Sequence, residues 1–373
     1  MAIREITIEG YRSIRRLRLA LAPITVITGP NGCGKSNLYR GLTILAQAAR
    51  GRFARMLADE GGTHSALWAG GRHRNDAVRM SFGVLTDEFR YELACGLPHP
   101  LETFQLDPQI KEESVWLGAK KSRPQMLCER RNTMVRIRDP EHRWAEYPFA
   151  LTHGESVLSQ LQEPFRYPEL WRLRTEFDSW RFYHQFRTDS RAAARQGNLA
   201  TYTPVLSDDG EDLTAALATI LAGDNPDPLR KAVRDALGAS LEIANEGEIV
   251  PLPGTTLTRI EIRIVTPGLN RPLTALELSD GTIRFLCLAA ALLTTRPAPF
   301  LALNEPETSL HPDLIPVLAG MIVDASRQTQ IWVTTHSPQL ADLIRDATGY
   351  RPAELFQVDG QTAIRGEPGD DQE

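Results

Sequence analysis

Ile24-Thr25-Val26-Ile27-Thr28 runs into Gly29-Pro30-Asn31-Gly32-Cys33-Gly34-Lys35-Ser36-Asn37, and this stretch decides how the rest of the chain is read. The β-branched run is consistent with a strand buried on both faces. Leu38, Leu42 and Leu45 then recur at helical spacing, so the local order is strand, loop, helix. The loop matches G-x-x-x-x-G-K-[ST]. Its glycines let successive backbone N–H groups turn inward around an anion, and the helix that follows adds the positive end of its dipole. A bare glycine-rich turn would have no use for both flanking elements. The pattern therefore predicts a phosphate-bearing ligand, with Lys35 reaching its outer phosphates and the Ser36 hydroxyl placed to hold Mg²⁺.

Working outward, 373 residues with 42% hydrophobic and 24% charged side chains make an ordinary globular composition, long enough for one large domain or two lobes. The longest apolar stretch, Phe285 to Leu293, is half of what crosses a bilayer, and Arg4 and Glu5 stand where a secretory signal would be apolar. A cytoplasmic protein with no membrane partner is expected. Cys33, Cys95, Cys128 and Cys287 form no C-x-x-C pair, which argues against a zinc site or a disulfide framework. The net charge is −5, yet among 42 basic residues only Lys35, Lys111, Lys120, Lys121 and Lys231 are lysine. Global charge of this size does not preclude a local basic face. Residues 367–373 read as an acidic tail.

Ile6 and Ile8, then Leu17, Leu19 and Leu21, alternate with polar residues as strands with one wet face. Val78 to Val84 and Phe89 to Leu93 alternate on either side of Thr86-Asp87-Glu88, which predicts an antiparallel hairpin. Pro98 to Pro168 is rich in proline and charge and shows a strand signal only at Val135 and Ile137. Helices are expected at Leu213–Leu221 and Leu229–Leu237, and a half-exposed strand at Ile260–Ile264. Further on come a helix from Thr282 to Leu293, a strand at Phe300–Leu303, a helix at Leu314–Val323, a strand at Ile331–Thr334, a helix at Leu340–Ile344 and a hairpin around Asp359-Gly360. Strands alternating with helices predict an α/β fold with a mostly parallel, covered sheet.

Three further motifs bear on chemistry. Phe300-Leu-Ala-Leu-Asn304-Glu305-Pro306-Glu307 is an apolar strand ending in polar residues, suited to a metal-site residue and a catalytic carboxylate. Thr334-Thr335-His336-Ser337-Pro338 places a histidine at the C-terminal end of the next strand, where ligands collect in open α/β sheets. Leu278-Ser279-Asp280-Gly281-Thr282 opens a helix and forms a second anion site. One phosphate loop needs no second site in the same chain, but two copies facing head to tail would use both.

With these residues in this order, and with Ile8-Glu9-Gly10-Tyr11-Arg12-Ser13-Ile14 at the start, the sequence resembles an ABC-type (AAA-like) P-loop ATPase of the branch containing the SMC, RecF and OLD-family proteins. It is most similar to the compact stand-alone ATPases of that branch. The resemblance implies an α/β ABC-ATPase head over residues 1–366, in which a P-loop sheet is joined by an antiparallel β subdomain and a helical signature lobe. Its expected parts are 1–97 (P-loop and β part), 98–270 (insertion and helical lobe) and 271–366 (signature, Walker B and histidine motif). It implies ATP and Mg²⁺ as ligands and a homodimer in the ATP-bound state. Gly29 to Asn37 and, less directly, Arg12 would bind nucleotide, and Ser36 and Asn304 would hold the metal. Glu305 would polarise the attacking water and His336 would contact the γ-phosphate, both in cis. Ser279, Asp280 and Gly281 would act in trans on the partner's nucleotide. DNA, or a separate effector such as a nuclease, is the implied partner, in DNA repair or phage defence.

The sequence also departs from the family. Asn304 stands where the pattern has Asp, and an amide oxygen accepts a hydrogen bond without adding charge toward a divalent cation. Weaker metal binding and slow turnover are expected, and a second reading follows in which ATP closes the dimer, hydrolysis is negligible and a partner is recruited. No heptads interrupt residues 38–277, which argues against a long tethering coil, and with some 37 residues after His336 any nuclease is expected to be a separate protein. A small-molecule kinase would leave the Leu278–Thr282 motif unused. A transporter subunit would need a glutamine loop, for which Gln105 and Gln109 are the nearest residues. Finally, Arg166 to Arg195 interleaves arginines with Trp171, Phe177, Trp180, Phe182, Tyr183 and Phe186. That mixture suits nucleic-acid contact. Interspersed Glu169, Glu176, Asp178 and Asp189 favour instead a packed lobe with paired or solvated arginines.

Overall fold

The computed structural model describes residues 1–71, 78–98, 104–249 and 257–365. The tail at 367–373 lies outside them. The chain divides into two compact units, one made of residues 1–180 and 353–373 and the other of 181–352.

The first unit begins with β1 (Ile3–Tyr11), β2 (Ile14–Ala20) and β3 (Ile24–Thr28), followed by α1 (Lys35–Ala49), α2 (Phe53–Asp59) and α3 (Gly62–Ala66). Then come β4 (Arg79–Thr86), β5 (Phe89–Gly96), β6 (Gln109–Leu117), β7 (Met126–Arg131), β8 (Met134–Arg138), β9 (Trp144–Glu146), α4 (Val157–Gln160) and α5 (Pro168–Ser179). Eight of these strands form an antiparallel sheet in the order β2-β1-β4-β5-β6-β7-β8-β9. Ile6, Ile8 and Tyr11 of β1 are 2% exposed or less, and so is Ile3. Ile3 is out of step with Ile6, and the shift is absorbed by a register irregularity between Ile3 and Glu5 opposite β4. Strands β4 and β5 are the predicted hairpin, turning at Asp87 and Glu88. The stretch from Pro98 to Pro168 adds four strands, β6 to β9, and the expected strand at Val135 and Ile137 is β8. Glu113 of β6 is fully buried and so breaks the apolar alternation, because Arg130 of β7, also fully buried, pairs with it at 3.4 Å.

The second unit holds β10 (Arg181–Tyr183), β11 (Asn198–Leu199), α6 (Leu213–Ala222), α7 (Asp227–Leu237), β12 (Ser240–Ile249), β13 (Leu257–Val265), β14 (Leu273–Thr274) and α8 (Asp280–Leu292). It continues through β15 (Phe300–Asn304), α9 (Ile315–Ala325), β16 (Gln330–Thr334) and α10 (Pro338–Thr348). Its β10, β15 and β16 are parallel, while β11, β12, β13 and β14 pair antiparallel. Every residue of β15 is buried, as a strand covered on both faces requires. The chain then returns to the first unit as β17 (Ala353–Val358) and β18 (Gln361–Ile364), an antiparallel hairpin whose β17 runs parallel to β3. The parallel ladders are therefore short, and the largest sheet is antiparallel.

The Arg166–Arg195 segment is packed. Phe177, Trp180, Phe182, Tyr183 and Phe186 are buried, and Trp171 alone of the named aromatics is 45% exposed. Arg187 pairs with Asp189 and Arg172 with Glu88, while Asp178 is taken by Arg50. Those five buried aromatics are thus committed to the core and not free to stack on a ligand.

Candidate active site

In the first unit the phosphate loop joins β3 to α1. Gly29, Gly32 and Gly34 all have positive φ, at 145°, 80° and 105°. L side chains rarely adopt that region, so the loop can turn its amides inward only because these positions lack a Cβ. Gly34 caps α1, and Pro30, Asn31, Gly32 and Ser36 are exposed around the loop. Lys35 is 5% exposed, and its Nζ donates to the carbonyls of Gly29 at 2.7 Å and Pro30 at 3.0 Å. Cys33 is 1% exposed and fills the space beneath the loop.

The loop rests on the terminal hairpin. Asn37 Nδ2 donates to Ser13 Oγ at 2.8 Å, and Ser13 Oγ lies 2.7 Å from Thr362 Oγ1. The Thr362 amide donates to the Ser13 carbonyl at 2.8 Å. A Cβ on Gly34 would come within 2.0 Å of Thr362 Oγ1. Arg12 has φ 50° and donates from Nη2 to Glu60 Oε2 at 2.9 Å, an oxygen that also accepts from the Tyr11 hydroxyl at 2.8 Å. Burial, and then the Glu60 charge, push the Tyr11 hydroxyl pKa up, so it remains a donor. Arg12 Nε is buried without a partner within the described structure.

The second unit gathers the carboxylates. Glu305 follows β15 and His336 follows β16, and His336 Nε2 lies 2.8 Å from Glu305 Oε1 with both side chains about one-third exposed. Adjacent parallel strands, paired from Phe300 opposite Gln330 to Asn304 opposite Thr334, set this distance. Glu305 has φ 49°, and its amide donates to the Thr334 carbonyl at 2.7 Å. Asn304 is 6% exposed, and its Oδ1 accepts no hydrogen bond within the described structure. A buried acceptor left open at the strand end fits a hydrated divalent cation, though without the attraction of a charge.

Ser279 caps α8, its Oγ accepting from the Thr282 amide at 3.1 Å, and it is exposed. Asp280 is 64% exposed and pairs with Arg195 at 2.7 Å. Gly281 stands where a Cβ would meet the Ser309 carbonyl oxygen at 2.7 Å, so the motif needs glycine for a close approach of backbone to backbone.

Three residues here were not singled out from sequence. Glu307 Oε1 accepts from Thr335 Oγ1 at 2.6 Å and from the amides of His336 and Ser337 at 2.8 and 3.2 Å, fastening the histidine turn to the strand before it. Arg195, 7% exposed, donates to the carbonyls of Ala275 and Leu278 and so frames the turn that leads into Ser279. Arg284, also 7% exposed, donates to the Glu305 carbonyl at 2.9 Å. The signal for Glu307 was its spacing from Glu305; an arginine in an apolar helix was the signal for Arg284. Gln109, on β6, is 8% exposed and accepts from Lys111, and Gln105 lies in the turn before β6.

The phosphate loop after one strand, the glutamate and histidine paired at the ends of two others and the serine-capped helix all fall within an AAA-type P-loop domain. The family model described as "AAA domain, putative AbiEii toxin, Type IV TA system" matches residues 24–342, and the chain belongs to that family. Among solved structures, the fold is similar to an SMC head bound to the C-winged helix domain of ScpA, with TM-score 0.58 and 14% identity, covering 98% of this chain and 97% of that one. It is also similar to the Smc head domain with an extended coiled coil, bound to the C-terminal domain of ScpA, derived from Pyrococcus furiosus, with TM-score 0.53 and 13% identity over 97% and 95% of the two chains. These likenesses show the fold. No curated protein matches the sequence. Among the described residues no helix is long and apolar enough to cross a membrane.

Proposed function

We propose that the protein hydrolyses ATP with Mg²⁺, closes as a head-to-tail homodimer around the nucleotide and uses that closure to engage DNA or control a separate effector. The observation that carries this reading is the 2.8 Å pair of Glu305 and His336 at the ends of adjacent parallel strands. In phosphoryl transfer the protein contributes positioning and electrostatics. The phosphate-loop amides and Lys35 neutralise the phosphates, Arg12 adds a second cation, Glu305 orients and deprotonates water, and His336 holds the Glu305 carboxylate in place. Mg²⁺, when bound, supplies charge neutralisation at the phosphate oxygens, and Ser36 and Asn304 are the residues that would hold it. Ser279, exposed at the start of α8, and the half-buried Gly281 address the partner's nucleotide, with Asp280 fixing the turn through Arg195. That structural neighbours dock a partner domain supports control of an effector, and the toxin–antitoxin wording of the family supports a defence setting over DNA repair.

The open, uncharged Asn304 Oδ1 favours one second reading, an ATP-gated binding module with negligible hydrolysis. ATP turnover measured alongside ATP-dependent dimerisation separates the two. Brisk hydrolysis abolished by Glu305→Gln supports the enzyme, whereas dimerisation without phosphate release supports the gate.

A further inference from the structure

The second unit contains two non-glycine residues with left-handed backbone among those described, Glu305 at φ 49° and Ser309 at φ 64°. Such conformations persist where surrounding structure over-determines them. Both residues bound the same short loop, and both are met by one helix. At Glu305 the contact is Arg284 Nη2 on the carbonyl oxygen at 2.9 Å. At Ser309 it is Gly281, where nothing larger than hydrogen fits against the carbonyl. We propose that Arg284 is a positioning residue for hydrolysis, holding the backbone of Glu305 in its strained conformation and tying it to the helix whose first turn carries Ser279, Asp280 and Gly281.

A buried guanidinium is expensive unless it is paired and hydrogen-bonded. Arg284 forms no ion pair among the described residues, and its Nε is buried without a partner there. Burial pulls its pKa down, while Glu307, then Cys287 and Glu305, push it back up. A side chain kept for packing alone would be served by methionine. What arginine adds is a charged donor on the carbonyl of the residue whose carboxylate faces His336. The donor arises on the fifth residue after Ser279, so a ligand that seats the first turn of α8 also seats Glu305. The two halves of the machinery that serve different nucleotides of the dimer are thereby joined within one chain, and loss of the link uncouples hydrolysis from binding.

This inference rests on the ATPase reading, and the test separates the two. Full-length protein is assayed for steady-state and single-turnover hydrolysis of MgATP, for ATP affinity by calorimetry and for thermal unfolding. Glu305→Gln is measured first; if it hydrolyses at the wild-type rate, the carboxylate assignment fails before Arg284 is involved. With that control in hand, Arg284→Met is expected to lower kcat about tenfold with ATP affinity within about twofold of wild type, and Arg284→Lys to recover part of the rate. In the Glu305→Gln background Arg284→Met should cause no further loss, since residues acting through one group are non-additive. An equal loss in both backgrounds, or an unchanged kcat, overturns the proposal. Should Arg284→Met fail to fold, Arg284→Gln, which keeps an N–H donor without the charge, is judged by the same double-variant criterion.

Discussion

At the scale of single residues, charge decides most of what this site can do. Lys35 supplies the mobile cation of the phosphate loop, and Lys35→Ala is expected to lose ATP binding in calorimetry; unchanged affinity would remove the loop from the site. Glu305→Gln keeps the shape and removes the base, so binding should survive while hydrolysis falls about a hundredfold or more, within the usual range for a positioned acid or base. Asn304 presents the converse case. Asn304→Asp returns a carboxylate to a buried position whose acceptor is open, and charge-assisted hydrogen bonds are about twice as strong as neutral ones. The Mg²⁺ concentration for half-maximal turnover should fall. If it does not, the fold already compensates for the amide, and the gated, non-hydrolysing reading loses its support.

Between elements, small close contacts matter more than surface charge. An alanine at position 34 would take a φ of 105° and drive its Cβ to 2.0 Å from Thr362 Oγ1. Gly34→Ala is therefore expected to lower the melting temperature, with about 1–2 kcal/mol from backbone strain alone, and to weaken ATP binding. The buried pair in β6 and β7 is a second such contact. Glu113 also accepts from the Tyr91 hydroxyl at 2.6 Å and from the Val157 amide at 2.9 Å, so Arg130→Met would leave a carboxylate buried without its counter-charge. A loss of about 3–5 kcal/mol in urea unfolding is expected. This pair also explains what the sequence conceals. The motifs at Gly29–Ser36, Leu278–Thr282, Asn304–Glu307 and His336 were legible because short-range spacing determines them, β1, β2, β4 and β5 were legible from alternation, and β3 from its β-branched run. The strands β6 and β7 were not, since a buried Glu–Arg pair reads as two surface residues, whereas β8 showed itself at Val135 and Ile137. Arg284 and Arg195 were hidden for the same reason, as their targets are backbone carbonyls that no side-chain pattern encodes.

Over the whole molecule, the proposed head-to-tail dimer sets the exposed Ser279 of one copy against the phosphate loop of the other. A mixture of Lys35→Ala and Ser279→Arg, each inactive alone, should regain about a quarter of the wild-type rate, because half the dimers are mixed and each mixed dimer has one intact site. No recovery would show that the serine does not act in trans. The terminal hairpin carries a different consequence. Thr362, which meets Ser13 beside the phosphate loop, is 349 positions from it in the chain. At bacterial to eukaryotic elongation speeds that interval lasts about 20 to 70 s on the ribosome. For all of it the loop lacks the hairpin that braces it, so the brace arrives only after residues 181–352 have been made as an uninterrupted stretch.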